Sequence, residues 1–410
     1  MFLGTIDRAS GKASFGARQQ HAALRAADEL IGLLRTGHIG LRRRAAQRAA
    51  HEPCGEHDEQ DEDQEPSHGL AIIAKMKILV AVPGNLHTVR MNRFVPDALA
   101  ALGHETHVVD YTPTLGEKLR LKLTRRSAAD VVAARLLAAV EEHRPELFLA
   151  LYGVNVSRRV LDELRARRTL TVNWWLNDPF QWQRALGILP PYDFAFTNAK
   201  YSVDAYAAAG LKHVRFLPSA CDPSVHRPID GVTPDCAVSF AGDWSALRER
   251  LVERLASEGV DLRVYGPWRR KLRAGSPLRA RLEHGFFSPE RMVQIFARCQ
   301  ATLNVHTWRE RFDFGLNPRV FEAGACGTPQ LVDHKRELDE LFTPAQRATM
   351  LIYRTDDELV SLARSLPARA GELKAVALAA APSFQREHSY RARMVELLRV
   401  VGAGQKDWSG

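Results

Sequence analysis

From position 77 onward the chain alternates short apolar runs with longer amphipathic stretches. The first run, Lys77-Ile-Leu-Val-Ala-Val82, has almost no polar interruption, as expected of a strand covered on both faces. It ends at a Pro83-Gly84-Asn85 turn, and a helical segment follows through Leu102 until Gly103 stops it. Further strands are predicted at 106–110, 147–151, 170–175, 194–197 and 214–217, with a helix at about 128–143. The series then restarts. Runs at 237–241, 262–265, 301–305 and 330–332 again alternate with helical segments, and the first two end at Gly242-Asp243 and Gly266-Pro267. Strands alternating with helices build parallel, doubly wound sheets. Because residues 218–235 are rich in Pro and Asp, they read as a linker between two such series. The expected class is therefore α/β, with two Rossmann-like domains whose parallel sheets face a central cleft, where open parallel sheets bind ligands.

On this reading residues 76–220 form the first domain and 221–383 the second. A final helix at about 384–400, within 384–410, carries Tyr390, Arg391 and Arg393 and packs back across the linker. The length of 410 residues suits two cores. Residues 1–75 differ from the rest. Arg42, Arg43, Arg44 and Arg48 form a basic cluster, and Glu56, Asp58, Glu59, Asp61, Glu62, Asp63 and Glu65 an acidic run. Like charges in blocks resist packing, so a poorly ordered extension is expected, with a helix near 20–35. Since Met76 directly precedes the first strand, an upstream start codon and a docking arm are both open readings of this tail.

Charge and cysteine content narrow the partners. The net charge of +9 reads either as a solvated basic surface or as attraction to polyanions such as sugar nucleotides or anionic lipid head groups. With no aromatic-basic motif beside it, no nucleic-acid partner is expected. No apolar run approaches the roughly 18–20 residues of a membrane span. The N-terminus has no secretory pattern, so a cytoplasmic location is expected, with no integral membrane segment. The five cysteines are scattered, with no CxxC pair and no metal-ligand spacing; neither a metal nor a cofactor is expected.

The densest chemistry lies in 314–333. Asn317 suits a helix N-cap and Pro318 the first helical position. The N–H groups of a helix start suit a phosphate, Arg319 adds a bidentate donor, and Glu322 lies one turn on, where a carboxylate can accept from a ribose diol. Small residues at Ala323, Gly324, Ala325 and Gly327 allow close approach. By composition alone, an ordinary capped helix packing on the sheet is an equal reading.

This stretch resembles the nucleotide-sugar signature of the group 1 glycosyltransferases, and more closely their CgeB-like, spore-maturation branch. The matching residues are Leu303-Asn304-Val305-His306, then Gly315, Asn317, Arg319, Phe321-Glu322-Ala323 and Ala325-Cys326-Gly327. Phe240-Ala-Gly-Asp-Trp244 with Arg248, Val264-Tyr-Gly-Pro267 and His284-Gly285 add to it. In the first half, Trp174-Trp-Leu-Asn-Asp178-Pro179 and Leu217-Pro-Ser-Ala-Cys-Asp222 resemble the family more loosely. The resemblance spans about 76–400 and implies a GT-B-like fold and a nucleotide diphosphate sugar as donor. The acceptor (a glycan, a lipid-linked or a small molecule) is not identified by it. It also implies retention of anomeric configuration. One departure stands out. Related enzymes carry two glutamates separated by seven residues, the second at the position of Glu322; the first position here holds Phe314, with Asp313 just before it.

Gly242, Arg248, Gly315, Asn317, Arg319 and Glu322 are thus the expected donor-binding residues. Gly84, Asn85 and His87 are candidate acceptor or cleft residues, although a plain strand-to-helix turn explains the first two as well. Asp178 and His306, at strand ends, are candidate catalytic groups. A simple Asp-Pro turn and a core histidine are the competing readings. The basic run Arg269-Arg270-Lys271 either meets phosphates or is a solvated loop. Two other classes stay open: a nucleotide-sugar-binding scaffold without catalysis, and a sugar-nucleotide epimerase of the same build.

Overall fold

The computed structural model describes residues 75–84, 91–124 and 127–406, the side chains as far as 402. Expectations for residues 1–74, Asn85 and His87 fall outside the described residues. The first half runs β1 (Lys77–Val82), α1 (Met91–Ala101), β2 (Glu105–Asp110), α2 (Leu115–Thr124), α3 (Ala128–His143), β3 (Leu147–Leu151), α4 (Arg158–Ala166), β4 (Leu170–Trp175), α5 (Trp182–Ala185), β5 (Phe194–Thr197), α6 (Ser202–Ala208) and β6 (Val214–Phe216). The second runs β7 (Cys236–Ala241), α7 (Ala246–Ser257), β8 (Leu262–Tyr265), β9 (Leu282–Glu283), α8 (Pro289–Ala297), β10 (Cys299–Asn304), α9 (Arg319–Ala325), β11 (Gln330–Asp333), α10 (Glu337–Leu341), α11 (Pro344–Arg347), β12 (Met350–Tyr353), α12 (Asp356–Glu387) and α13 (Tyr390–Lys406).

Each half is one six-stranded sheet, ordered β2-β1-β3-β4-β5-β6 and β12-β11-β10-β7-β8-β9, and neighbouring strands run parallel throughout. The unbroken apolar runs are the central strands. β3 and β7 are buried along their whole length, and β1 is buried from its second residue. The edge strand β2, Glu105-Thr-His-Val-Val-Asp110, buries only Val109. Two strands lie outside the runs predicted from the apolar pattern. β9 has only two residues, too few to form a pattern, whereas β12, Met350-Leu-Ile-Tyr353, is an apolar run that was overlooked.

Strand order reverses between β1 and β3 in one sheet and between β7 and β10 in the other. At such a switch point the flanking loops leave in opposite directions and a crevice opens at the carboxyl ends of the strands.

α12 starts at a capping box, in which Thr355 Oγ1 accepts from Glu358 N and Glu358 accepts from Thr355 N. It runs for 32 residues through Glu387, so residues 384–387 end this helix and do not start the next. The chain then crosses the linker through two backbone bonds, Cys221 N to His388 O and Tyr390 N to Cys221 O, both 2.9 Å. From there α13 packs on α1 of the first half. Tyr390 meets Phe94 at 5.6 Å and Trp174 edge-on at 6.3 Å, and the Trp174 indole N–H donates to Leu217 O. Both sheets belong to one compact unit of the chain.

Candidate functional site

The switch point of the second sheet opens into a cavity of about 160 Å³. Its floor is the end of β7, Ala241-Gly242-Asp243, beside the end of β10, Asn304-Val305. Gly242 is held at both backbone groups: its N–H donates to Tyr265 O, and its carbonyl accepts from the indole of the buried Trp268 at 2.8 Å. One wall is apolar, made by Tyr265, Phe286, Phe287 and Met292; the other is cationic, made by Arg248 and Arg319, with Glu322 below. Gly242, Arg248, Asn317, Arg319 and Glu322 therefore meet in one cavity, although about 80 residues of chain separate the ends of the group.

Arg248 is the third residue of α7, whose N-cap Ser245 accepts its backbone N–H. Its guanidinium turns back over the ring of Phe240, donating to Asp243 O and Val305 O at 3.0 Å each. These are carbonyls, which fix the group without neutralising it, and its Nε is buried with no partner. Burial lowers its pKa to about 10, with Asp243 opposing the shift and Arg319 adding to it, and at that value it stays cationic at neutral pH. Arg319 opens α9 with its guanidinium 5.5 Å above Phe296. Its Nη1 is buried and unpartnered, and Glu322 lies 3.7 Å away, beyond hydrogen-bond length. A guanidinium nitrogen buried without an acceptor is costly, and an anion with several acceptor oxygens relieves that cost at both arginines.

The segment before α9 is held differently from expectation. Asn317 does not cap the helix. Its carboxamide forms a reciprocal pair with Asn304, with Nδ2 to Oδ1 distances of 2.7 and 3.2 Å, and no side chain caps α9. The backbone N–H of Asn317 donates to His306 Nε2 at 3.2 Å, while His306 Nδ1 lies 2.9 Å from Asp333 Oδ1. Nε2 accepts, so the proton sits on Nδ1 and the imidazole is neutral; burial lowers its pKa accordingly. Burial would raise the pKa of Asp333, but His306 and the buried Lys335, 2.6 Å from its other oxygen, hold it well below the carboxylate range. His306 is thus fully engaged, with both nitrogens occupied and no face on the cavity, and the catalytic role expected for it is corrected to one of support. Asp333 and Lys335 were not anticipated, because a charged pair at the end of a buried strand looks the same in sequence as a solvated one.

Asp178 is corrected in the same way. It is wholly buried: Oδ1 accepts from Trp175 Nε1 at 3.1 Å, and Oδ2 from Thr197 Oγ1 at 2.6 Å and Tyr206 OH at 2.8 Å. Burial raises its pKa to about 6 against those three donors. Gly84 is also used internally, its N–H donating to Asp110 Oδ1 at 3.0 Å, so this turn presents a carboxylate where a phosphate-binding amide was considered. Gly315 does not line the cavity. At φ +83° it needs glycine, and a side chain there would strike Pro179, which approaches to 2.5 Å of the Cβ position. Its N–H donates to the buried Glu337, and the adjacent Leu316 O accepts from Asn198 of the first half. Asp313 pairs with Arg336, and Phe314 packs on Tyr201 and Phe312, so neither stands in for the absent glutamate at this cavity. The run 269–271 lies outside the cavity lining too; Lys271 sits over the Trp244 ring. The apolar wall was the part of the site that sequence reasoning missed, although the paired Phe286-Phe287 after Gly285 was a usable signal. Among the described residues the four cysteines are free and buried, no cluster of three or more His, Cys, Asp or Glu gathers, and no helix is long and apolar enough to cross a membrane.

Residues 248–399 match the family model described as Glycosyl transferase-like. The solved structure of sucrose-phosphate synthase from Thermosynechococcus elongatus is similar over 80% of this chain and 100% of its own, with a TM-score of 0.59 and 12% identity. The fold is that of the GT-B glycosyltransferases. Anabaena HepE in complex with UDP and glucose is similar over the same shares, at a TM-score of 0.57 and 14% identity. A Listeria monocytogenes protein named as a UDP-N-acetylglucosamine 2-epimerase is similar over 82% of this chain and 98% of its own, at 0.51 and 12%. At such identities the likeness is one of GT-B fold. No curated protein matches the chain.

Proposed function

We propose that this chain transfers a glycosyl unit from a nucleotide diphosphate sugar to an acceptor. The observation that carries the reading is the arginine pair Arg248 and Arg319, each with one guanidinium nitrogen buried and without an acceptor, at the edge of a cavity in a GT-B fold. Breaking a glycosyl–phosphate bond puts negative charge on the departing diphosphate, and fixed cations in a dry site stabilise it most. In this reading the two arginines supply that charge in place of a metal ion. Glu322 accepts from the ribose hydroxyls, and the base lies against Tyr265, Phe287 and Met292. HepE, which binds UDP and glucose, supports a uridine nucleotide as the first donor to try. Retention of configuration rests on the family resemblance alone, and Phe314 occupies the position of the glutamate that goes with it.

The test is a panel of nucleoside diphosphates, their sugars and the free nucleosides, read by thermal stabilisation and calorimetry, then by turnover against mixed acceptors. Diphosphates and donors should bind, nucleosides weakly. No stabilisation by any diphosphate would overturn the reading. Consumption of the donor without an acceptor would replace transfer by epimerisation, and donor binding with no turnover would leave a binding protein.

A further inference from the structure

The helix α2, Leu-Gly-Glu-Lys-Leu-Arg-Leu-Lys-Leu-Thr, buries no residue. Leu115, Leu119 and Leu123 are 86, 60 and 75% exposed, three of the nine large apolar side chains that stand out among the described residues. Spaced four apart, they form one stripe. The opposite face, with Glu117 and Leu121 half-buried, turns toward α3, and Glu117 is tied to Arg135 there at 3.3 Å. A spacing of about 100° per residue centres the leucines on the outward face, with Lys118 and Lys122 along one flank and Arg120 along the other. The helix's only carboxylate points away from that face. None of these three cations is in an ion pair among the described residues. The basic helix α4 shows the contrast: there Arg158 and Arg165 share Asp162, at 3.2 and 3.0 Å.

We infer that α2 lies in the surface of an anionic lipid bilayer, with its leucines in the headgroup–acyl boundary and its cations on the lipid phosphates. A contiguous exposed apolar stripe calls for an occupant, and the charge decides which. A second copy packed symmetrically on this face would bring the same three cations against three more. A nucleic acid would accept the cations and leave the leucines, which project furthest, in water. A leucine stripe flanked by cations suits an in-plane helix. α2 begins just after the carboxyl end of β2, the sheet edge that also carries the Gly84 turn, so docking sets that edge of the first half toward the membrane. The inference is independent of the nucleotide-sugar reading.

The experiment is co-sedimentation of the full chain with phosphatidylcholine vesicles, with and without phosphatidylglycerol. Wild type should bind the phosphatidylglycerol vesicles, and bind less as salt is added. The variant Leu115→Ser/Leu119→Ser/Leu123→Ser should lose about tenfold or more of that binding. Lys118→Gln/Arg120→Gln/Lys122→Gln should lose several-fold, roughly tenfold at most. The tail's arginine cluster is common to all three proteins, so differences between them report the helix. Because no side chain of α2 is buried, both variants should keep the wild-type melting temperature and nucleotide diphosphate affinity, and a loss of either would show damage to the fold. Three outcomes would overturn the inference: no binding by wild type, equal binding by the serine variant, or a wild-type dimer that the serine variant dissociates without any effect of lipid.

Discussion

The two sheets open at corresponding points, between β1 and β3 and between β7 and β10, yet the described polar groups around them are used in opposite ways. In the first half the carboxylates at or just after the strand ends are taken by the chain's own donors. Asp110 takes the N–H of Gly84, and Asp178 takes three donors from Trp175, Thr197 and Tyr206. In the second half the ends of β7 and β10 face two arginines with buried N–H groups left over, Arg248 tied only to carbonyls, and a carboxylate, Glu322, that lies beyond hydrogen-bond length of Arg319. The lesson is that topology places a crevice, while the balance of donors and acceptors decides whether the crevice asks for a ligand. The triad of His306, Asp333 and Lys335 refines this. It is as fully satisfied as Asp178, and it holds the loop on which Arg319 sits.

The sharpest way to break the comparison is to exchange roles between the halves. Arg248→Ala with Arg319→Ala should weaken nucleotide diphosphate binding by about 3–6 kcal/mol in calorimetry, from about 1.5–3 for each charged hydrogen-bonding group. Asp110→Ala should leave that affinity unchanged. Equal losses in the two would end the distinction between a used and an open switch point. A nucleoside without phosphates should bind the arginine variant almost as it binds wild type.

Next in size is the support beneath the second site. Lys335→Met leaves Asp333 buried and without its cation, and should cost about 3–5 kcal/mol in urea unfolding. Adding Asp333→Asn should recover much of that loss. If the single variant is as stable as wild type, the triad does not hold the loop.

A third test concerns Asp178. Its pKa is about 6 in the folded chain and about 3.9 unfolded, so its contribution is full below about pH 4 and is lost as pH rises through about 6. Wild type should therefore lose up to about 2–3 kcal/mol relative to Asp178→Asn between these limits. A difference that stays flat with pH would mean that Asp178 is not a buried, internally bonded carboxylate.

The smallest effect belongs to Glu322. Glu322→Gln keeps an acceptor oxygen and should cost donors about 1 kcal/mol, with Glu322→Ala costing roughly twice that. Wild type should prefer ribose over 2′-deoxyribose donors, and the alanine variant should not. Retention of the full preference by that variant would remove Glu322 from the ribose site.

The sequence was legible where a property is local. Each predicted apolar run coincides with a strand to within two residues at either end, because both faces of a central parallel strand demand apolar side chains and the demand is written in consecutive residues. β9 went unread because two residues are too few to form a pattern, while β12 was overlooked although Met350-Leu-Ile-Tyr353 is apolar throughout. In the site, Arg248, Arg319, Glu322 and Gly242 were found from the spacing and the family resemblance. Tyr265, Phe287 and Met292 were not, since an apolar residue at a cavity wall looks like any core residue. Asn317 was found but misread as a cap. The cap rule considers only its own helix, and the partner that claimed its carboxamide, Asn304, ends a strand 13 residues earlier.

By itself the sequence determined two doubly wound sheets and the arginines and glutamate available to the second. Only the tertiary structure decided which polar groups were already spent. Asp178, His306 and Arg248 all follow or open elements at the carboxyl ends of strands, and nothing in their neighbours along the chain separates them. The separation comes from Thr197 and Tyr206, which lie 19 and 28 residues from Asp178, and from Asp333, 27 residues from His306. A hydrogen bond is made or left unmade by whatever the fold brings within about 3 Å, and burial then fixes the cost of leaving it unmade.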